Sequence, residues 1–112
     1  MNRKRMFVLF ASSAAILAAA PAASAVDASA AEALLKKSGC VKCHAVDRRK
    51  DGPAYKDVAA KYKGRADAEK TLVTFLTTNA KIKVDGKEEE HASLKTGKEA
   101  DARNVAAWIL SR

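Results

Sequence analysis

The pentapeptide Cys40-Val41-Lys42-Cys43-His44 constrains this chain more than any other feature. Residues three apart on a helical turn share a face, so Cys40 and Cys43 can each add to a vinyl group on one edge of the same porphyrin. His44 lies four residues after Cys40, where its imidazole can reach the iron of the ring that the sulfurs hold. Cys-x-x-Cys-His is the attachment pattern of a c-type haem. On this reading the cysteines become thioethers, neither disulfide partners nor redox thiols. Two other chemistries use the same residue types. A thioredoxin-like Cys-x-x-Cys expects a βαβ setting, and no alternating β-branched strand flanks this one. Zinc held by Cys40, Cys43, His44 and His91 has suitable donors, but a structural zinc site draws paired ligands from both ends of its spacing. The far end here offers one histidine.

An absence sharpens the motif. The methionines are Met1 and Met6 alone, and both fall in a segment with the marks of an export signal. Arg3, Lys4 and Arg5 form a basic start, Met6 to Ala20 is mostly apolar, Pro21 breaks the run, and Ala23-Ser24-Ala25 fits the small-residue cleavage pattern. The run is too short to span a bilayer comfortably, and no cysteine near the cleavage site could carry a lipid. The expected organisation is a cleavable signal over residues 1–25 and one mature domain over residues 26–112, with no stable membrane anchor. Haem attachment by Cys40 and Cys43 agrees with export. A haem bound by His44 often takes methionine as its second axial ligand, and the mature chain has none to give.

The mature chain has 87 residues, a size at which a domain buries a modest share of its surface. Its aromatic residues are Tyr55, Tyr62, Phe75 and Trp108. So thin a core is well served by a flat, largely apolar porphyrin.

The periodicity is helical. Ser29 and Glu32 have the spacing of a capping box, with Ala31, Leu34 and Leu35 on the face that follows. Arg48 to Pro53 reads as a polar loop. Tyr55, Val58, Ala59 and Tyr62 fall at i, i+3, i+4 and i+7, the stripe of an amphipathic helix ended by Gly64. Asp67 is placed to cap a helix whose apolar face is Leu72, Phe75 and Leu76. Lys81 to Lys95 shows no clear period but contains Asp85-Gly86, a turn signal. Thr96 and Glu99 have capping-box spacing before a last helix bearing Ala102, Val105, Trp108 and Ile109. No strand of useful length, repeat or second domain is evident.

Taken together, these segments resemble a small bacterial class I cytochrome c, over essentially the whole mature chain. The likeness rests on Cys40-Val41-Lys42-Cys43-His44 after a short helix, on Gly52-Pro53-Ala54-Tyr55-Lys56-Asp57-Val58-Ala59, and on the ending Trp108-Ile109-Leu110-Ser111. The resemblance implies an all-α fold of three to five short helices around one covalent haem c, with the first and last helices crossing. It implies a periplasmic location. It also implies that the carbonyl of Pro53 accepts a hydrogen bond from the second nitrogen of His44, fixing the tautomer and orientation of the proximal ligand; a proline opening a helix would look the same in sequence.

The family places its axial methionine in the loop before the last helix. This chain has no methionine there, but it has His91, 17 residues before Trp108 and the only histidine besides His44. His91 is therefore the expected distal iron ligand, giving a bis-histidine haem. The ordinary reading of a histidine after Glu88-Glu89-Glu90 is a solvated loop. Asn79, Lys81, Lys83, Lys87 and Lys95 are weaker distal candidates, since a lysine ligand needs a large pKa depression. Imidazole stabilises ferric iron more than a thioether does, so the expected potential is low.

Export removes Arg3, Lys4 and Arg5 from 21 basic residues, leaving 18 against 13 acidic and a mature charge of +5. Lys36, Lys37, Lys42, Arg48, Arg49 and Lys50 flank the haem motif. A basic rim at a haem edge steers an acidic redox partner. The basic residues are not interleaved with aromatics, and an exported chain does not meet nucleic acid. No catalytic acid, base or nucleophile stands out. The expected function is a monomeric electron carrier with no enzymatic activity. The alternative is a gas-binding or sensing haem protein with an open or labile distal face.

Overall fold

The computed structural model describes Ala15, Ile16 and residues 25–112; the rest of the expected signal segment, and so the signal itself, lies outside the described residues. The elements in chain order are α1 (Ala28–Lys37), a short 3-10 turn (Cys40–Lys42), α2 (Tyr55–Tyr62), α3 (Ala68–Thr77), β1 (Lys81–Val84), β2 (Lys87–Glu90) and α4 (Glu99–Leu110). Among the described residues, no helix is long and apolar enough to cross a membrane.

The last helix organises the others. Ala102, Val105, Ala106, Trp108 and Ile109 are buried, which is more than one stripe of α4, and the helix packs against α1, α2 and α3 alike. The opposing faces are Ala31 and Leu35 of α1, Tyr55 and Ala59 of α2, and Leu72 and Leu76 of α3, as the periodicity predicts. The first and last helices are also joined by a reciprocal polar clamp. Asp27 donates its N–H to Asn104 Oδ1 at 2.9 Å, and Asn104 Nδ2 donates to the Asp27 carbonyl at 2.8 Å.

The helix starts differ from those predicted. Asp27, not Ser29, caps α1, its carboxylate accepting from the N–H of Ala30 at 2.9 Å. A carboxylate two residues earlier takes the Ala30 N–H and sets the helix start ahead of Ser29. Asp67 precedes α3, but its carboxylate is occupied by Arg65 and by the Thr71 hydroxyl rather than by the helix backbone. Thr96 accepts from the Lys98 N–H and donates to Asp101 Oδ2 at 2.7 Å, so the box with Glu99 does not form.

The segment expected to lack strands holds an antiparallel hairpin, Lys81 pairing with Glu90 and Val84 with Lys87. Asp85 and Gly86 form its turn with φ of 49° and 77°. Positive φ at both central residues is the hairpin-compatible turn that Asp-Gly favours. The strands are four residues each, and every residue of β2 is exposed. That leaves almost no apolar alternation to read in advance.

Candidate haem site

The chain leaves α1 through Ser38 and Gly39 into a single 3-10 turn that begins at Cys40. Cys40 is buried and Cys43 exposed, and no disulfide joins them. Burial pushes the Cys40 thiol up from its ordinary range. His44 follows, its N–H donating to the Cys40 carbonyl at 3.0 Å, and the Gly52 N–H donates back to the Cys43 carbonyl at 2.8 Å. These bonds hold the two sulfur positions and the imidazole in one rigid loop.

Two features set the His44 ring. Its Nδ1 donates to the Pro53 carbonyl at 2.7 Å. Its face lies against Gly52: a Cβ there would sit 2.8 Å from Nδ1 and 2.9 Å from Nε2, closer than side-chain atoms tolerate. Glycine is thus required by close approach. Behind the ring, Tyr55 stacks at 5.3 Å between centroids and 20° between planes, and Trp108 meets Tyr55 edge-on at 5.5 Å. The helix stripe that sequence periodicity assigns to the core therefore also supports His44. Sequence reasoning missed this role for Tyr55 because a core aromatic and one backing an iron ligand have the same spacing.

His91 comes from the segment between the hairpin and α4. It follows β2, and its N–H donates to the Ala80 carbonyl at 2.7 Å, extending the hairpin by one rung. Ser93 Oγ accepts from the Asn79 N–H at 3.0 Å, Leu94 donates to the Leu76 carbonyl at 2.9 Å, and Lys95 donates to Ser38 Oγ at 2.9 Å. The segment is thereby tied to the end of α3 and to the residues just before Cys40. His91 is half-buried rather than solvated, with Phe75 4.7 Å away between centroids. Burial, and then the nearby His44, push its pKa below the usual histidine range, against a smaller upward pull from the Ala92 backbone. The imidazole is accordingly neutral at pH 7, the form that binds a metal. The His44 and His91 rings lie 6.0 Å apart between centroids with planes 56° apart. The fold brings together two histidines separated by 47 positions in sequence.

Asn79, Lys81, Lys83, Lys87 and Lys95 are less apt as distal ligands. All five are exposed, and Lys81 pairs with Glu88 at 3.3 Å. Among the described residues, no three of His, Cys, Asp and Glu converge as a metal-binding group, which leaves the zinc reading without a ligand cluster. The arrangement does fit a haem. It offers two thiols on one turn, an imidazole oriented by a carbonyl, a facing second imidazole, and buried polar atoms without partners at Tyr55 Oη and Trp108 Nε1.

Comparison with known proteins gives the same picture. A family model described as Cytochrome c matches residues 28–112. Cytochrome c-551 of Pseudomonas aeruginosa is 42% identical over 81 residues, 72% of this chain and 75% of that one. Cytochrome c-552 of Hydrogenobacter thermophilus is 41% identical over 83 residues, covering 71% and 79%. The crystal structure of class 1 cytochrome MtoD from Sideroxydans lithotrophicus ES-1 superposes with a TM-score of 0.75 at 47% identity, covering 78% of this chain and 97% of that one. The chain belongs to the cytochrome c family, as a small class I member that carries electrons through one covalent haem c and is not an enzyme.

Proposed function

We propose that this protein is a periplasmic one-electron shuttle whose haem is attached through Cys40 and Cys43 and ligated axially by His44 and His91. The observation that carries the reading is the 6.0 Å separation of the two imidazoles. Two metal–imidazole bonds of about 2.0 Å, with the half-width of each ring added, span roughly that distance. The two ligands come from separate parts of the chain: His44 on the loop after α1, His91 just after β2.

The group when bound supplies a one-electron couple; the protein sets its level and access. The Pro53 carbonyl holds the proton on His44 Nδ1 and leaves Nε2 free to ligate. Two imidazoles favour ferric iron over ferrous more than an imidazole and a thioether do, which places the couple low. With His44 and His91 both holding the group, no position on it would be left for a substrate, which suits electron transfer. Val41 is 46% exposed beside the attachment turn. Lys50 folds over this turn, donating from Nζ to the Val41 carbonyl at 2.7 Å. Lys36, Lys37, Lys42, Arg48 and Arg49, within the turn or flanking it in sequence, are exposed. An apolar spot within a basic rim suits transient docking of an acidic redox partner by a monomer. Cleavage after Ala25 releases the domain into the periplasm.

Equilibrium redox titration of the holoprotein tests the reading. A midpoint well below that of a His/Met class I cytochrome is expected, and a typical high cytochrome c value overturns the His91 assignment.

A further inference from the structure

The two facing imidazoles are not held alike. His44 has its Nδ1–H on the Pro53 carbonyl at 2.7 Å, its face on Gly52 and Tyr55 stacked behind it. His91 Nδ1 is buried and has no hydrogen-bond partner. Its main chain is anchored through Ala80 and, by way of Ser93, through Asn79, but its ring packs against the apolar face of Phe75. A ligating imidazole normally donates its other N–H to an acceptor, which fixes the ring and strengthens it as a donor. Loss of such a partner typically weakens metal binding about 10- to 100-fold.

Resting on the bis-histidine reading above, we propose that the His91 side is an exchangeable face, where a neutral diatomic ligand of the carbon monoxide class displaces His91 from ferrous iron while His44 stays bound. In the exchange the nitrogen–iron bond of His91 breaks and its electron pair returns to the imidazole. The carbon of the incoming ligand donates its own pair to iron. No electron or proton leaves the protein. Because the anchored main chain keeps the freed imidazole nearby, its return is intramolecular and fast. Weak ligands therefore lose to it, and a strong ferrous ligand wins.

The test is stopped-flow mixing of dithionite-reduced holoprotein with carbon monoxide, followed in the Soret band, on the unmutated protein and on His91→Ala. The unmutated protein is expected to bind carbon monoxide slowly, at a rate proportional to concentration while return of His91 outpaces capture and levelling off once capture outpaces return and release of His91 becomes limiting. His91→Ala is expected to bind with a rate linear in concentration and at least 10-fold faster at the highest concentration. If the unmutated protein shows no carbon monoxide spectrum over an hour while His91→Ala does, the exchange proposal is overturned. Identical linear rates in both mean that His91 is not on the iron, which overturns the bis-histidine reading and the exchange with it. Should His91→Ala not mature, the unmutated protein decides together with its ferric electron paramagnetic resonance. A slow or levelled rate in a bis-imidazole protein supports exchange, and no reaction in such a protein overturns it.

Discussion

Tyr55 lies nearly parallel to His44, ring centroids 5.3 Å apart and planes 20° from parallel, with Trp108 edge-on behind it. The three rings link the attachment loop to α2 and α4, so the proximal imidazole is braced by the core of the domain. Tyr55 is 5% exposed. Tyr55→Ala should cost about 3–5 kcal/mol, as truncation of buried aromatics does. Tyr55→Phe keeps the stack and removes only the hydroxyl, so its cost should stay near about 1 kcal/mol or below. Thermal unfolding of the two holoproteins checks the contrast.

Gly52 is the position where the smallest change should do the most harm. An added methyl meets the His44 ring, and the loop cannot give way easily while the Gly52 N–H is bonded to the Cys43 carbonyl. Gly52→Ala should therefore cost about 1–3 kcal/mol as overpacking and lower the yield of haem per chain. Pro53→Ala leaves the acceptor carbonyl in the backbone and should be milder. Pyridine haemochrome assay against protein concentration measures both.

The sequence made some of this architecture legible and hid the rest for identifiable reasons. The helix stripes ending in Val105, Trp108 and Ile109 were readable because burial against neighbours on several sides demands a 3.6-residue period. The pentapeptide was readable because thioether attachment fixes residue type and spacing together. The true helix caps were not: Ser29, Asp67 and Thr96 had the expected spacing, but Asp27, Arg65 and Asp101 competed for the same groups through geometry that spacing does not encode. The hairpin is not legible in the sequence because β2, Lys-Glu-Glu-Glu, has no apolar face, its register being set by Asp85-Gly86 and by cross-strand charges such as Lys83 opposite Glu88. The stacking of Tyr55 on His44 and the contact of Phe75 with His91 are tertiary facts with no sequence signal distinct from ordinary core.

The hairpin turn carries its own expectation. Gly86 has φ of 77°, a conformation that costs an L-residue about 1–2 kcal/mol. Gly86→Ala should lower stability by about that amount. It should leave the His44 loop intact, because the turn lies at the far end of the hairpin from His91. Unfolding followed separately by haem absorbance and by far-ultraviolet circular dichroism measures it.

The basic rim should make electron exchange depend on salt. Exposed charges are screened over about 10 Å at 0.1 M ionic strength. Reduction by an anionic small-molecule reductant should therefore slow as ionic strength rises from 0.01 to about 0.5 M, while a neutral reductant shows little change. Neutralising Lys42 and Arg49 together should flatten the anionic dependence. Stopped-flow rates against ionic strength supply the comparison, and equal slopes for both reductants would remove the rim from the account.

The most direct measurement of the central claim is low-temperature electron paramagnetic resonance of the ferric holoprotein, taken alongside His91→Ala. Ligation by His44 and His91 is expected to give a low-spin bis-imidazole signal, replaced in His91→Ala by a high-spin signal or one from a substituted ligand. A high-spin spectrum in the unmutated protein, or one that His91→Ala leaves unchanged, would contradict it.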